Sequence, residues 1–458
     1  MIIVSDAGAT RKDRIFPLHL TPFETYMLWD DRPEYPSTVV SEWQFTGRVV
    51  RDRFERAMDF ALERHPLLRA TVRVAKLNRE CWVLGEAPRP KIQWGRYDEP
   101  VDWPAGESID LRRTPGLLAW MRADDERATL TFLFHHASCD GIGLSRFVGD
   151  LLWSYAEQSG DAVEPTPPLP PDALRKRLRA TYRVEEFLDS RGRPLDRFRN
   201  SVGQVIRETT PVNPPRGENR EPVPYPGILM AELNAQEYRE LKAAALARGQ
   251  MANDVLLERL FVTLFDWNDA FGQPGDGSLT VLVPLDLRET DSRDISAANL
   301  VTYAFIHRKR DQIRDRRRLI DGLRDEMAVA KQERHRSPFM GSIVSLNDPN
   351  EGTRAVLGGK FCVATAILSN AGDPTRRFLT ELPRDRGLVR CGDLRLEGIQ
   401  SVPPLRPFSR VTVFVGTYRR NLRVCLRCDP RWFTLDDTQA FLDRYMRSIR
   451  ESTHVGIT

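Results

Sequence analysis

Cysteine is scarce in this chain: six thiols (Cys81, Cys139, Cys362, Cys391, Cys425 and Cys428) lie at irregular spacings in 458 residues. A chain this long can bury a sizeable core without covalent staples. The pattern therefore predicts reduced thiols in the cytoplasm and excludes a small disulfide scaffold. Long apolar runs are missing as well. No stretch approaches the ~18 apolar residues that would span a bilayer, and the opening MIIVSDAGATRKDR lacks the basic start and apolar core of a signal peptide. Charge of one sign is also absent: 68 basic and 64 acidic side chains leave +4. Diluted over so large a surface, that balance gives no reason to expect nucleic acid as a partner. No glycine-rich phosphate loop follows a strand, and Ser145 lacks a GxSxG elbow, which argues against a serine hydrolase.

What is present is ordinary for a globular protein, with 41% hydrophobic and 29% charged residues. At roughly 100–200 residues per domain the length suggests two or three units, or one large two-lobed one. Thr21-Pro22-Phe23-Glu24 carries an N-cap, a proline at the first helical position and a capping-box glutamate. A strand follows at Thr38–Thr46. A helix opening at Asp52 has Phe54, Ala57, Met58, Ala61 and Leu62 on one face and ends at Pro66. Strand character recurs at Thr71–Val74, Cys81–Leu84, Leu117–Met121 and Ala128–His136. The last of these has Leu130, Phe132 and Phe134 on one face and Leu133 on the other, as suits a central strand covered on both sides. From Leu144 to Tyr155 the apolar period becomes helical.

Two proline-rich stretches, Pro165–Pro171 and Pro211–Pro226, flank a charged segment, Asp172–Glu208. Such stretches join units rather than build cores. The expected division is a first lobe over 1–172, a charged helix and linker over 173–226, and a second lobe over 227–458. In that second lobe Asn234 and Glu237 cap a helix to about Arg248, and a longer helix covers Ala252 to about Asn268. Strands are expected at Leu279–Val283, Leu300–Ile306, Lys360–Leu368, Val411–Tyr418 and Leu422–Cys428. A charged helix is expected from Asp311 to about Arg334, and Thr434 caps a last helix. Interleaved strands and helices in both halves predict an α/β layered architecture.

The segment His135-His136-Ala137-Ser138-Cys139-Asp140-Gly141 holds two of only seven histidines. Neighbours on a strand point to opposite faces, so His135 and His136 cannot both ligate one metal while the strand continues. His136 shares its face with Phe134, Phe132 and Leu130. Desolvation there, and the start of a helix just beyond, both disfavour imidazolium, and a neutral imidazole can take a proton from a hydroxyl or amine. Asp140 is expected to turn away and tie down the strand-to-helix turn, where Gly141 gives the backbone room. Taken alone, a pair of histidines is better explained as satisfied core residues.

This segment resembles the HHxxxDG signature of the CoA-dependent acyltransferase superfamily, which includes condensation domains, chloramphenicol acetyltransferase and polyketide-associated acyltransferases. Further segments resemble the family in the expected order. They are Arg64-His65-Pro66-Leu67-Leu68-Arg69, Met251-Ala252-Asn253-Asp254-Val255-Leu256, Pro284-Leu285-Asp286-Leu287-Arg288 with Asn299-Leu300-Val301, and Ser369-Asn370-Ala371-Gly372. The resemblance implies two related chloramphenicol-acetyltransferase-like lobes with a tunnel between them. It implies His136 as the catalytic base, His135 and Gly141 as structural neighbours, and Asp140 salt-bridged to Arg288, with Asn370 on the tunnel wall. There is no DFGWG near the C-terminus, which points away from the plant BAHD branch. The expected protein is a free-standing, monomeric acyltransferase with no permanently bound cofactor and no metal. Its co-substrate would be acyl-CoA or a phosphopantetheine-linked acyl group on a carrier protein, and its acceptor a small-molecule hydroxyl or amine. The alternative is a non-catalytic condensation-like module that binds carrier proteins.

Two other features carry less. Cys425-Leu426-Arg427-Cys428 resembles half a zinc site, but its two sulfurs would point to opposite faces of a strand and no second CxxC exists. Seven basic residues between Arg308 and Arg318 read as a solvated helix face, because Asp311 and Asp315 are interspersed. Their functional alternative is a landing patch for a carrier protein or for CoA phosphates.

Overall fold

A computed structural model describes residues 15–75, 79–85, 87–181, 208–216, 228–272, 277–337, 339–340 and 362–454. The first half supplies β1 (Leu18–His19), α1 (Pro22–Asp30), β2 (Thr38–Thr46), α2 (Arg51–Arg64), β3 (Thr71–Val74), β4 (Glu80–Val83), β5 (Ile92–Arg96), β6 (Leu117–Ala123), β7 (Arg127–His135), α3 (Gly141–Gln158) and α4 (Lys176–Thr181). The second half supplies β8 (Leu229–Leu233), α5 (Ala235–Ala247), α6 (Ala252–Phe271), β9 (Leu279–Asp286), β10 (Val301–Arg308), α7 (Arg310–Arg314) and α8 (Arg316–Gln332). After them come β11 (Ala366–Gly372), β12 (Arg384–Asp385), β13 (Leu388–Cys391), β14 (Leu394–Val402), β15 (Val411–Tyr418), β16 (Asn421–Cys428) and α9 (Leu435–His454).

The lobes are built on two sheets. The first has strand order β12-β13-β14-β2-β7-β6-β5 and the second β10-β9-β11-β15-β16-β8, with a small β1-β4-β3 sheet beside them. β7 is central, as its two apolar faces require. Leu130, Phe132 and Phe134 pack into a core with α2 and α3, while Leu133 packs into another that also holds Leu300, Val402, Phe414 and Cys425. That second core is shared by both lobes. A third lies within the second lobe, where α6, α8 and α9 cover β9, β11, β15 and β16.

Local chemistry accounts for several boundaries. Thr21 Oγ1 accepts the Glu24 amide at 3.2 Å while Glu24 Oε2 accepts the Thr21 amide at 2.8 Å, closing the capping box at α1. Asn234 and Glu237 do the same for α5.

The structure departs from the sequence reading at four places. The division at residue 226 does not follow the sheets: β12, β13 and β14 lie in the second half, yet β14 pairs antiparallel with β2 of the first. The expected helix from Asp311 to Arg334 is two helices, because Asp315 is extended (φ −82°, ψ 95°) and spends its carboxylate capping the Arg318 amide. The strand expected at Lys360–Leu368 begins at Ala366 and runs on through Ser369 and Asn370, residues 360 and 361 lying outside the described residues. Finally, residues 173–181 are not a free linker: Arg177 is buried, with its Nε 2.8 Å from Glu24 Oε1. The rest of the expected charged helix up to residue 207, and the proline-rich stretch from 217 to 226, lie outside the described residues.

Candidate active site

β7 ends at His135, so the two histidines straddle the end of the strand and meet different partners. His135 is buried; its Nδ1 accepts the Ala137 amide at 3.1 Å, and its Nε2 faces Asp31 Oδ2 at 3.7 Å. Burial would push the Asp31 carboxyl up, but His135 and the Ser37 amide together hold it below the usual value. His135 is thus a fixed strut. His136 is only partly buried and lies in the turn that follows. Its backbone amide donates to the Ser37 carbonyl at 2.7 Å.

His136 is held at its backbone carbonyl from the other lobe. Asn299 is fully buried just before β10, and its Nδ2 donates to the His136 carbonyl oxygen at 2.8 Å and lies 3.1 Å from His136 Nδ1. Turning the amide over would set two oxygens against each other at hydrogen-bond distance, so the nitrogen must face the carbonyl. Burial lowers the His136 pKa below 6.5; the Asp140 charge and a bond from the ring to its own backbone carbonyl oppose this without reversing it. A neutral imidazole follows.

Asp140 closes the turn. Its Oδ1 accepts the Gly143 amide at 2.7 Å and Arg288 Nη2 at 2.9 Å; its Oδ2 accepts Arg288 Nη1 and the Leu300 amide, each at 2.8 Å. These four bonds use the carboxylate's capacity and hold its pKa below 3.8 although burial alone would raise it. Arg288, buried after β9, also donates to the Ala298 carbonyl at 3.0 Å. One carboxylate therefore caps α3 and ties the two lobes together.

Gly141 does not play the expected part. A side chain there would meet nothing within 4 Å, whereas one at Gly143 would meet the Ala298 carbonyl oxygen at 3.0 Å and its amide nitrogen at 3.1 Å. The close backbone approach belongs to Gly143, and Gly141 borders open space beside the turn.

The segment carrying Asn299 is clamped elsewhere too, by residues to which the sequence reading gave no role. His65 Nδ1 accepts the Ala297 amide at 2.8 Å, and its Nε2 lies 3.0 Å from Asp150 Oδ2. Arg64 joins Asp150 at 2.5 Å, and Arg146 donates to the Ile295 carbonyl at 2.8 Å. Ile295, Ala297, Ala298 and Leu300 are fully buried. Asp150 follows Arg146 by one helical turn of α3, a spacing that places both on one face but gives no hint of a partner elsewhere. Asn370 is exposed on β11, remote in its contacts from this cluster: its Nδ2 donates to Asn253 Oδ1 at 2.9 Å. The structure thus brings His135, His136, Asp140, Gly141 and Arg288 together and adds Asn299.

The residues around His136 offer no competing nucleophile. Cys139 is buried, and burial pushes its thiol well up; Ser138 is buried, with its hydroxyl unpaired among the described residues. No group of three His, Cys, Asp or Glu among the described residues could hold a metal ion. Cys425 and Cys428 are buried in different cores, on opposite faces of β16. Among the described residues, no helix is long and apolar enough to cross a membrane.

No family model matches the chain. It is 26% identical over 315 residues to an uncharacterized protein of Mycobacterium tuberculosis, Rv2305 of strain H37Rv, covering 65% of this chain and 68% of that protein. Among solved structures it is similar to the first condensation domain of the calcium-dependent antibiotic synthetase (TM-score 0.67, 16% identity, covering 96% of this chain and 97% of that one). Polyketide synthase associated protein 5 from Mycobacterium tuberculosis superposes with TM-score 0.61 and 16% identity over 95% of this chain and 98% of its own. The trichothecene 15-O-acetyltransferase TRI3 of Fusarium sporotrichioides gives TM-score 0.65 and 12% identity over 94% of each chain. Coverage of at least 94% of each chain at these TM-scores shows the fold: the chain has the two-lobed α/β fold of these three structures.

Proposed function

We propose that the protein is an acyltransferase that moves an acyl group from a thioester, either CoA or carrier-bound phosphopantetheine, to a hydroxyl or amine. Donor and acceptor would meet at His136 in a passage between the lobes. The observation that carries this reading is the state of His136: partly accessible, depressed in pKa, and fixed by an amide from the opposite lobe. With Nδ1–H turned to its own carbonyl, the Nε2 lone pair is left for the substrate. Nε2 takes the acceptor's proton as its oxygen or nitrogen attacks the thioester carbonyl. The carbon–sulfur bond breaks, and the same proton passes to the departing thiolate. Transfer is direct, because Cys139 and Ser138 are sealed away from any acyl group.

The reading is tested by incubating the protein with a panel of acyl-CoAs and acyl carrier proteins against mixed alcohols and amines, and following thiol release and product mass. Transfer by the native protein that is lost in a folded His136→Ala variant supports it. A variant as active as the native protein removes His136 from the chemistry. A folded native protein that transfers nothing from the panel but binds acyl carrier protein would favour the carrier-binding module.

A further inference from the structure

Away from His136, the turn between α5 and α6 and the start of α8 gather basic groups around one carboxylate. Glu258, fully buried on α6, places its Oε1 against the guanidinium of its neighbour Arg259 and 3.5 Å from Arg316 Nε. Arg248, at the end of α5, acts electrostatically on both Glu258 and Arg259. Three guanidiniums therefore converge on one carboxylate, a balance of 3 − 1 = +2. Burial and mutual repulsion lower the pKa of both Arg248 and Arg316.

Hydrogen bonding in the cluster is unfinished. Arg248 Nε and Nη2 and Arg259 Nε are buried with no partner among the described residues, against one unmet acceptor, Glu258 Oε2. Arg259 is only 5% exposed. Leaving buried donors unmade costs more than ordinary hydrogen bonds return, and three unmet donors outnumber the one unmet acceptor, so the cluster calls for an acceptor from outside. Its sealed side is occupied by Glu258; Arg316 is exposed and Arg248 partly so, which leaves that side open to an incoming group. The fork geometry of guanidinium matches phosphoryl oxygens better than any neutral acceptor.

The cluster is also connected to the body of the fold. Asn253, three residues beyond Gln250, accepts from Asn370 on β11 at 2.9 Å. β11 lies beside β9, whose far end leads to Arg288 and Asp140. We infer that Arg248, Arg259 and Arg316 form a phosphoryl-binding site that holds the phosphate at the head of the pantetheine arm of the donor. This rests on the thioester-transfer reading above for the identity of the arm, but not for the presence of an anion site. The neighbouring Arg308, Arg310 and Arg318 are each committed to carboxylates of Glu326, Asp269 and Asp311, which separates Arg316 from the rest of the basic run.

The test is calorimetric, without turnover, using pantetheine, 4′-phosphopantetheine and CoA as probes. The native protein should bind 4′-phosphopantetheine about ten- to a hundredfold tighter than pantetheine, the gain that charge-assisted contacts supply. Arg248→Gln with Arg316→Gln should remove that preference while the melting temperature stays unchanged. Arg248→Lys with Arg316→Lys should restore only part of it, since charge returns without the fork. CoA binding as tightly as 4′-phosphopantetheine, or tighter, agrees with the site. Equal binding of pantetheine and 4′-phosphopantetheine by the native protein overturns it. So does a phosphate preference that survives in the glutamine double variant. Phosphate-dependent binding in a protein that transfers no acyl group would sink the proposed reaction and leave the site standing.

Discussion

Asn299 reaches across from the second lobe to place its side-chain nitrogen 2.8 Å from the His136 carbonyl oxygen and 3.1 Å from the ring. The base is thus oriented by a residue that no element of its own lobe supplies. Docking of the lobes and readiness of the imidazole become one event. Asn299→Ala should leave the fold intact and reduce transfer by about ten- to a hundredfold, because the His136 carbonyl that orients the ring loses its anchor. Asn299→Asp should do something a merely structural residue would not. A carboxylate beside Nδ1 favours imidazolium, so the acid limb of kcat/KM should move to higher pH. An unmoved limb in Asn299→Asp would reduce the contact to packing.

His136 itself gives the second prediction. Its pKa is lowered by burial, so the neutral form persists below pH 6.5, and activity should fall only beneath that value. His136→Ala should cost about 10²–10⁴-fold in kcat/KM, the usual contribution of a general base. Intact-protein mass spectra during turnover should show no acyl adduct on Cys139 or Ser138. An acid limb above pH 6.5, or an accumulating adduct, would contradict direct transfer by a neutral base.

The Asp140–Arg288 pair yields a prediction about stability. Asp140→Ala leaves Arg288 buried with only the partly exposed Asp286, 3.2 Å from its Nη1, as counter-charge, a loss of up to about 3–5 kcal/mol. Arg288→Ala should cost a similar amount, and the double variant less than the sum of the two. Because the folded pKa of Asp140 is depressed, its contribution is complete above the unfolded value near 3.8 and is lost as pH falls through the folded value. Urea midpoints at pH 7 and below pH 4 read both effects. A double variant whose loss equals the sum would mean the two groups act independently.

How much of this could be read from the chain depends on the range of the interaction. α1 and α5 announce themselves because Thr21 with Glu24 and Asn234 with Glu237 form their caps within four residues. β7 was legible because Leu130, Phe132, Phe134 and Leu133 report both faces of a strand locally. β14 was not: Leu394–Val402 is a mixed run containing Arg395, Glu397 and Gln400, and its pairing with β2 and β13 is what makes it a strand. His65 was visible as part of a motif, but its bond to Ala297 spans 232 positions and leaves no periodic trace. Asp315 shows the opposite failure. Periodicity favours one long helix there, and a single capping carboxylate breaks it.

Gly141, which ends the motif, and Gly143, two residues beyond it, give the last prediction, since the structure separates them. Neither has a left-handed backbone, so an alanine at either costs no backbone strain, and only the surroundings of the new methyl differ. At Gly143 it would press on the Ala298 backbone at 3.0–3.1 Å, between α3 and the segment that carries Asn299. Gly143→Ala should therefore loosen the lobe contact, lowering the melting temperature and transfer together. At Gly141 the methyl meets nothing within 4 Å. Helix propensity then decides, and Gly141→Ala should melt at or above the native temperature, a gain of up to ~1 kcal/mol. Gly141→Leu tests the open space itself: on the proposed function it should keep the fold while raising the KM of an acceptor that approaches His136 past α3. A Gly141→Ala protein that melts well below native would show that the space is filled, and that the turn needs its glycine after all.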